Sequence, residues 1–206
     1  MKNLLVISSA TKKAYLGLKT QDNVTVAEID ANCKQSENIL VEIDKLLNGS
    51  NLEIGDIDVI GVVVGPGSFT GVRIGVALVK GFCAVNKNIK VCPISSLDLI
   101  AEHINTTKPF VCGINALSGL VFAKQFAPQS EEKLVTLEEF DALEMERYGL
   151  QEETICQNKI SIDPHTLLAL LEKEIARENF VEPNELCPVY LRNSQAEENL
   201  KKNLKN

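Results

Sequence analysis

The chain has 206 residues, of which 45% are hydrophobic and 24% are charged. This length predicts one large domain or two small ones, and this composition excludes a disordered or fibrous chain. Its 21 basic and 28 acidic residues leave a formal net charge of −7, so the whole chain is a poor electrostatic partner for nucleic acid.

The negative charge is concentrated in residues 131–153, where nine acidic side chains stand against Lys133 and Arg147. A run of like charges usually forms a solvated face, and this is the interpretation the pattern favours here. A contact of this stretch with a partner stays open.

Cysteine usage and hydropathy predict a soluble, cytoplasmic protein. The six cysteines form no C-x-x-C pair and have no zinc-finger spacing, which favours reduced thiols over a disulfide scaffold. The apolar run Leu4–Ile7 is too short for a signal peptide and predicts a first strand. No segment approaches the length that spans a bilayer.

The first half of the chain predicts a layered α/β structure. Leu4–Ile7, residues 14–18 and residues 24–29 have the composition of strands, the last two joined by turn residues. An amphipathic helix is predicted from Ser36, a plausible N-cap, to Asn48-Gly49. A buried strand follows at residues 59–64.

The remaining elements repeat this mixture. We predict a helix from residue 71 to about 85, a strand near 90–94, a helix over 96–103 and strands at 110–114 and 120–126. A late helix begins at Asp163-Pro164, an N-cap followed by proline. We place a subdomain boundary near residue 107, giving 1–107 and 108–206, with a flexible C-terminal tail.

The turn after the strand at 59–64 is the sharpest local motif. It reads Gly65-Pro66-Gly67-Ser68-Phe69-Thr70-Gly71 and opens a helix. Glycines at a helix N-terminus can admit a phosphate. However, the spacing is one residue too long for the dinucleotide fingerprint, and no Gly-Lys-Ser/Thr follows as in a P-loop. A phosphate site is therefore weakly indicated.

The helix after this turn is apolar or small on every side, and from Val72 to Val85 only Arg73 and Lys80 are charged. A helix that covers one face of a sheet should show a polar outer stripe, so this helix predicts protein cover on its far side. Gly71 and Gly75, one turn apart, would admit another backbone closely. The cover is either a partner chain or the helix at 36–47.

Catalytic constellations are scarce in this sequence. His103 and His165 are far apart and lack a Glu-x-x-His partner, so neither predicts a metal site or a general base. Ser68 lies outside any Gly-x-Ser-x-Gly motif and is better interpreted as a helix cap.

The eleven residues from Gly65 to Gly75 resemble the signature of the bacterial TsaB (YeaZ) family, proteins of tRNA threonylcarbamoyladenosine biosynthesis. Ser36-Glu37 with Leu40, and Pro188-Val189-Tyr190-Leu191-Arg192, resemble two further family segments. The resemblance is strong at 59–82 and thin between about 105 and 185.

This resemblance implies an actin/Hsp70/sugar-kinase-like fold of two subdomains, each with a mixed sheet flanked by helices. It also implies a non-catalytic subunit that binds TsaD through the helices at 36–47 and 71–85, with the small ATPase TsaE as third component. It implies tRNA contact through the complex, with ATP and metal held by the partner subunits and not by this chain. An apolar helix without its partner should bury itself against a copy, so we expect the isolated chain to form a homodimer. The interface residues expected on this basis are Ile39, Ile43, Leu46, Gly71, Val72, Arg73, Gly75, Leu78, Val79 and Phe82, beside the signature residues Gly65, Pro66, Gly67, Ser68, Phe69 and Thr70.

The chain departs from the family at three places. Ile7-Ser8-Ser9 stands where the family shows Asp-Thr-Ser, Gln35 where it shows His, and Ile114-Asn115-Ala116 where it shows Asp-Ala-Arg. An acid at the first hairpin is a typical ligand for Mg²⁺ in this fold class, and its loss argues against nucleotide chemistry. The alternative is an ATP-dependent phosphotransferase of the same fold. A third possibility, a peptidase, would need a paired-histidine metal site, and two distant histidines do not provide one.

Overall fold

The computed structural model describes residues 2–30, 35–127 and 131–189, with side chains from residue 38 onward in the second range. Outside the described residues lie Cys33, the predicted flexible tail and the Tyr190-Leu191-Arg192 part of the C-terminal motif. The first helix begins at Gln35, so Ser36 lies inside the helix rather than at the N-cap position that the sequence predicts, and its side chain is outside the described side chains.

The first sheet has five strands in the order β3-β2-β1-β4-β5. Its strands are β1 (Leu4–Ser8), β2 (Lys13–Lys19), β3 (Val24–Asp30), β4 (Val59–Gly65) and β5 (Lys90–Ser95). β1, β2 and β3 form an antiparallel meander, whereas β4 and β5 run parallel to β1. Every residue of β1 and β4 is buried, as expected for strands covered on both faces.

Three helices lie among these strands in the chain, α1 (Gln35–Gly49), α2 (Phe69–Val85) and α3 (Ser96–Ala101). α1 packs over β2 and β3, and α2 packs over β4 and β1. α3 follows β5 and contacts strands of both sheets. The predicted helix at 96–103 is therefore slightly shorter in the structure.

The second sheet repeats the plan of the first, in the order β8-β7-β6-β9-β10. Its strands are β6 (Phe110–Asn115), β7 (Leu120–Phe126), β8 (Glu132–Thr136), β9 (Glu146–Leu150) and β10 (Asn158–Ile160). Again an antiparallel meander is extended by two parallel strands. α4 (Leu137–Asp141) lies between β8 and β9 in the chain, beginning with a capping box between Thr136 and Glu139.

The last described helix, α5 (Pro164–Ala176), returns to the first sheet and packs against β2, β5, β1 and β3. A Cβ atom built on Gly17 or Gly61 would lie 2.7 Å from side-chain carbons of Leu168 and Leu171, so these two glycines create the flat surface that α5 occupies. The boundary near residue 107 stays a prediction, and it assigns to the second subdomain a helix that covers the first sheet.

Candidate functional site

The signature turn joins the carboxyl end of β4 to the amino end of α2. Ser68 is the N-cap, and its hydroxyl accepts a hydrogen bond from the main-chain N–H of Gly71 at 3.2 Å. The predicted capping role of this serine is confirmed. Ser68, Phe69 and Thr70 are exposed, while Gly65 and Pro66 are buried.

The polar groups of this turn are used by the hairpin between β1 and β2. The main-chain N–H of Ser68 donates to the carbonyl of Ala10 at 2.7 Å. The hydroxyl of Ser9 donates to the carbonyl of Gly71, also at 2.7 Å. A Cβ on Gly67 would lie 2.4 Å from the Ala10 carbonyl oxygen. The helix N-terminus thus packs directly on its own chain, where a phosphate cradle would hold an anion.

Gly71 and Gly75 face the interior of the molecule. A Cβ on Gly71 would lie 1.9 Å from the Ser9 carbonyl oxygen, and one on Gly75 would lie 2.8 Å from the Ser9 hydroxyl oxygen. The sequence predicts close approach at these glycines by a partner chain or by the helix at 36–47. In the structure the Ser9 backbone approaches Gly71, and the Ser9 hydroxyl approaches Gly75. A bulky residue at either position would clash with Ser9 and destabilise the fold, so such a variant is not a clean test of an interface.

The predicted interface residues divide into buried and accessible ones. Arg73 is exposed, and its guanidinium carbon lies 3.7 Å from the centre of the Phe69 ring. Leu78 and Phe82 are partly buried against the core. The side chains that belong to the core of the chain itself are Ile39, Ile43, Leu46, Val72 and Val79.

Beyond the exposed Arg73, the outward face of α2 is nevertheless apolar. Ala77 and Gly81 are exposed, Ile74 is partly buried, and Val85 is 81% exposed. Lys80 on the flank of this helix reaches the carbonyl of Asn184 at 3.5 Å. The far side of α2 therefore keeps the apolar character that the sequence predicted, with small residues at its centre.

α1 adds further apolar surface. Leu40 is 41% exposed and Val41 is 51% exposed, although both lie on a helix whose inner face is well packed. The sequence-based set omitted these two residues together with Ile74, Ala77, Gly81 and Val85. The helical period could have identified them, because residues between the buried positions must point outward.

The first hairpin has no carboxylate from Ser8 to Thr11. The Ser8 side chain is fully buried, and its hydroxyl has no hydrogen-bond partner among the described residues. Thr11 donates to the carbonyl of Lys13 at 2.7 Å. Within the described part of the chain, no group of three or more His, Cys, Asp or Glu side chains is placed to hold a metal ion.

His103 connects two helices. Its Nε2 accepts a hydrogen bond from the main-chain N–H of Asp163 at 2.9 Å, and its Nδ1 lies 2.8 Å from the carbonyl of Leu99. Nδ1 therefore carries the proton in this neutral tautomer. The residue joins α3 to the N-cap of α5, which is a structural role.

The acidic stretch is largely solvent-exposed. Among its nine acidic residues, Glu132 and Glu153 are partly buried and the others are exposed. Burial raises the pKa of the Glu153 carboxyl above its usual range. The prediction of a solvated face is confirmed for most of the stretch, which also contains β8, α4 and β9.

Comparison with known proteins yields a consistent group. A family model described as "TsaD: tRNA N6-adenosine threonylcarbamoyltransferase" matches residues 22–170, more than half of the chain. The tRNA threonylcarbamoyladenosine biosynthesis protein TsaB of Haemophilus influenzae is 30% identical over 125 residues, which are 59% of this chain and 52% of that protein. TsaB of Bacillus subtilis is 33% identical over 102 residues, 48% of this chain and 44% of that protein.

The matches span about half the length of these curated relatives. The solved structure titled "YeaZ from Pseudomonas aeruginosa" aligns with a TM-score of 0.77 at 20% identity, covering 93% of this chain and all of that one. At that identity the likeness concerns the fold. Together with the two five-stranded mixed sheets and the family model, it confirms the predicted fold class, the actin/Hsp70/sugar-kinase-like architecture. None of the helices in the described residues has the length and apolar character to cross a bilayer.

Proposed function

We propose a function for this chain on one premise: it belongs to the TsaB (YeaZ) family. In our proposal it is a non-catalytic subunit that binds TsaD. The assembly transfers a threonylcarbamoyl group to adenosine in tRNAs that read codons starting with A. This role places the chain in tRNA threonylcarbamoyladenosine biosynthesis, the process that the names of its relatives state.

The observation that carries this proposal is the apolar outer face of α2. Helix faces turned to water normally carry polar side chains, because exposed apolar area is unfavourable. Here Ala77, Gly81 and Val85 occupy that face. Small residues at its centre permit a partner helix to approach closely, and Leu40 and Val41 of α1 are further exposed apolar side chains.

The same face serves two assemblies in this proposal. In the absence of TsaD it is covered by a second copy of this chain, and TsaD displaces that copy when present. The small ATPase TsaE completes the complex, and ATP and metal are held by the partner subunits. With a net charge of −7, this chain contributes little to tRNA affinity, which belongs to the complex and falls steeply with salt.

A reconstituted system with TsaD, TsaE and tRNA tests this function. Ala77→Arg places a charged side chain at the centre of the proposed face, so we expect modified adenosine to fall at least about tenfold. Thr154→Arg, at an exposed position after β9, is the matched control and should retain full activity. Equal activity of both variants would refute the interface.

The histidines supply a second control. His165→Ala should leave the modification rate within about twofold of the original, since its side chain is assigned no chemistry in this proposal. The test is a time course of tRNA modification at saturating TsaD. A loss of activity with His165→Ala, beside full activity of Ala77→Arg, would overturn the scheme.

The alternative function is an ATP-dependent phosphotransferase, which the two-subdomain fold favours as a class. Such an enzyme needs an acidic Mg²⁺ site near the first hairpin, where this chain has Ser8 and Thr11. In our proposal the isolated chain binds ATP–Mg²⁺ feebly and without turnover. Calorimetry that detects a stoichiometric, tight site abolished by Thr11→Ala would favour the phosphotransferase.

A further inference from the structure

Within the described residues, the chain passes between the two sheets twice. The first crossing, residues 102–109, joins α3 to β6, and the second, residues 161–163, joins β10 to α5. Both crossings are anchored in the main apolar cluster, the first by Ile104 and the second by Ile162. A change in the angle between the sheets must be absorbed at these two segments, because they connect the sheets covalently.

The side chain of His103 links the two crossings. Its Nε2 accepts a hydrogen bond from the main-chain N–H of Asp163 at 2.9 Å, and its Nδ1 donates to the carbonyl of Leu99 at 2.8 Å. Leu99 belongs to α3 and Asp163 is the N-cap of α5, so both nitrogens of the ring are held. A second link between these elements is the ion pair of Glu102 with Lys173.

This contact differs from the usual completion of a helix N-terminus. In α4 the N–H of the N-cap Thr136 donates to the Glu139 carboxylate at 2.8 Å, three residues further along the same chain. In α5 that third position is Thr166, and the acceptor of the Asp163 N–H is His103, 60 residues earlier. The start of α5 is therefore completed by a side chain of the other crossing.

The direction of this hydrogen bond matters because much of the contact between the sheets is apolar. Apolar packing resists the separation of two surfaces, but it is non-directional and tolerates small rotations. A hydrogen bond is directional, and it weakens steeply when the angle at its hydrogen falls below about 120°. The ring of His103 thus restrains a rotation that the core alone would permit.

We propose that His103 is a clasp that fixes the angle between the two subdomains, acting through the main-chain N–H of Asp163. The two ring nitrogens have separate parts in this role. Nδ1–H sets the ring on α3, and Nε2 receives the second crossing. His103 is therefore a positioning residue, and its action belongs to the isolated chain, whether or not a partner is bound.

Variants of the full chain test the clasp. His103→Phe keeps a planar ring but removes the acceptor, so the Asp163 amide should exchange with water at least about tenfold faster. One alignment tensor should fit the backbone residual dipolar couplings of both sheets in the unmodified protein. In His103→Phe the tensor of the second sheet should be smaller by at least about one tenth, because the angle then fluctuates. His103→Gln, whose amide oxygen can accept in place of Nε2, should keep a single tensor.

A local acceptor separates the clasp from simple helix capping. In His103→Phe/Thr166→Glu the new carboxylate can accept the Asp163 N–H, as Glu139 does in α4, so slow exchange of that amide should return. The two tensors should remain different, because the glutamate belongs to α5 itself. His165→Phe, at an exposed position, is the matched control and should change neither measurement. A single tensor in His103→Phe, or its return with Thr166→Glu, would overturn the proposal.

A measurement on the unmodified protein covers the case in which a variant does not fold. Nitrogen NMR should show the His103 proton on Nδ1, together with a scalar coupling across the hydrogen bond from the Asp163 amide to Nε2. A neutral ring that carries its proton on Nε2, or the absence of that coupling, would contradict the clasp.

Discussion

Gly71 and Gly81 are both helical glycines of α2, but their surroundings differ. A Cβ on Gly71 would overlap the Ser9 carbonyl oxygen at 1.9 Å, whereas a Cβ on Gly81 would meet no atom within 4 Å. Gly71 is required because the Ser9 carbonyl oxygen belongs to the backbone and cannot move away from a Cβ atom without displacing the hairpin. Gly81 lies on the outer face and lacks such a constraint.

Alanine substitutions at these two glycines should therefore have opposite effects. We expect Gly71→Ala to lower the free energy of unfolding by about 3 kcal/mol through overpacking. In the Ala77→Arg background, in which our proposal leaves the outer face uncovered, Gly81→Ala should raise it by about 1 kcal/mol, because alanine has the higher helix propensity. Urea unfolding of the two variants checks this, and equal effects would show that the hairpin does not press on α2.

The helix α2 has a buried inner face and an exposed outer face. Its inner residues belong to the core, its ends are set by Ser68 and Asn86, and its exposed residues include Ala77, Gly81 and Val85. In our proposal a second copy of the chain covers this face by a two-fold contact. Because the contact is two-fold, a charged residue introduced at the centre of the face is present in both copies at the interface.

Ala77→Arg should therefore convert the isolated chain from dimer to monomer while its fold persists. The arginine lies at an exposed helix position, so circular dichroism should be unchanged and the free energy of unfolding of the monomer should change by less than about 0.5 kcal/mol. Sedimentation velocity measures the mass. Thr154→Arg should remain dimeric, and a dimeric Ala77→Arg would contradict the interface.

At the scale of the whole molecule, the two sheets share a core. The main apolar cluster extends from Leu5 and Val62 of the first sheet to Ile114 and Leu150 of the second, and α5 contributes Leu167 and Leu171. Cys92 and Cys112 are fully buried within it. Their role is that of small apolar side chains.

Burial of these groups predicts a loss of stability in alkaline solution. Burial raises the pKa of the Cys92 thiol from 9.0 to about 12 and that of the Tyr15 hydroxyl from 10.0 to about 12. At a pH between the ordinary pKa values and the raised ones, these groups lose their protons in the unfolded chain but keep them in the folded chain. The free energy of unfolding should therefore fall as pH rises above about 9.

Urea unfolding at pH 7, 9 and 10 checks this dependence. Cys92→Ala removes one of the titrating groups, so the decline between pH 9 and 10 should be shallower in that variant. Cys187→Ala is the control, because Cys187 is exposed and its removal should leave the slope unchanged. A stability that is constant up to pH 10 would contradict the burial of these thiols.

The elements that sequence patterns identified are those with strong local signals. Leu4–Ser8 and Val59–Gly65 are continuous apolar runs, and α5 starts at a capped proline. β8, α4, β9 and β10 were missed, because their segment is dominated by surface charge. β9 is a strand because it pairs with β6 and β10, and Glu146 and Arg147 give no local sign of that pairing.

The candidate site shows the same division. Periodicity and composition determined that α2 has an apolar outer face and that Ser68 caps it, since both properties depend on residues close together in the chain. Which residues lie on that face depends on the packing of the folded chain. Gly71 and Gly75 turned out to face Ser9, because the β1–β2 hairpin, more than sixty residues earlier, packs against the helix N-terminus.

The fold class, the family and the apolar character of α2 could be predicted from local patterns, because apolar runs, caps and a contiguous motif are local properties. The repeated order of the two sheets, the return of α5 to the first sheet and the link between the two crossings came from the folded chain. Each of these depends on contacts between distant segments: Leu168 over Gly17, or His103 beside Asp163. Such contacts follow from packing and strand pairing, whose partners no local pattern specifies.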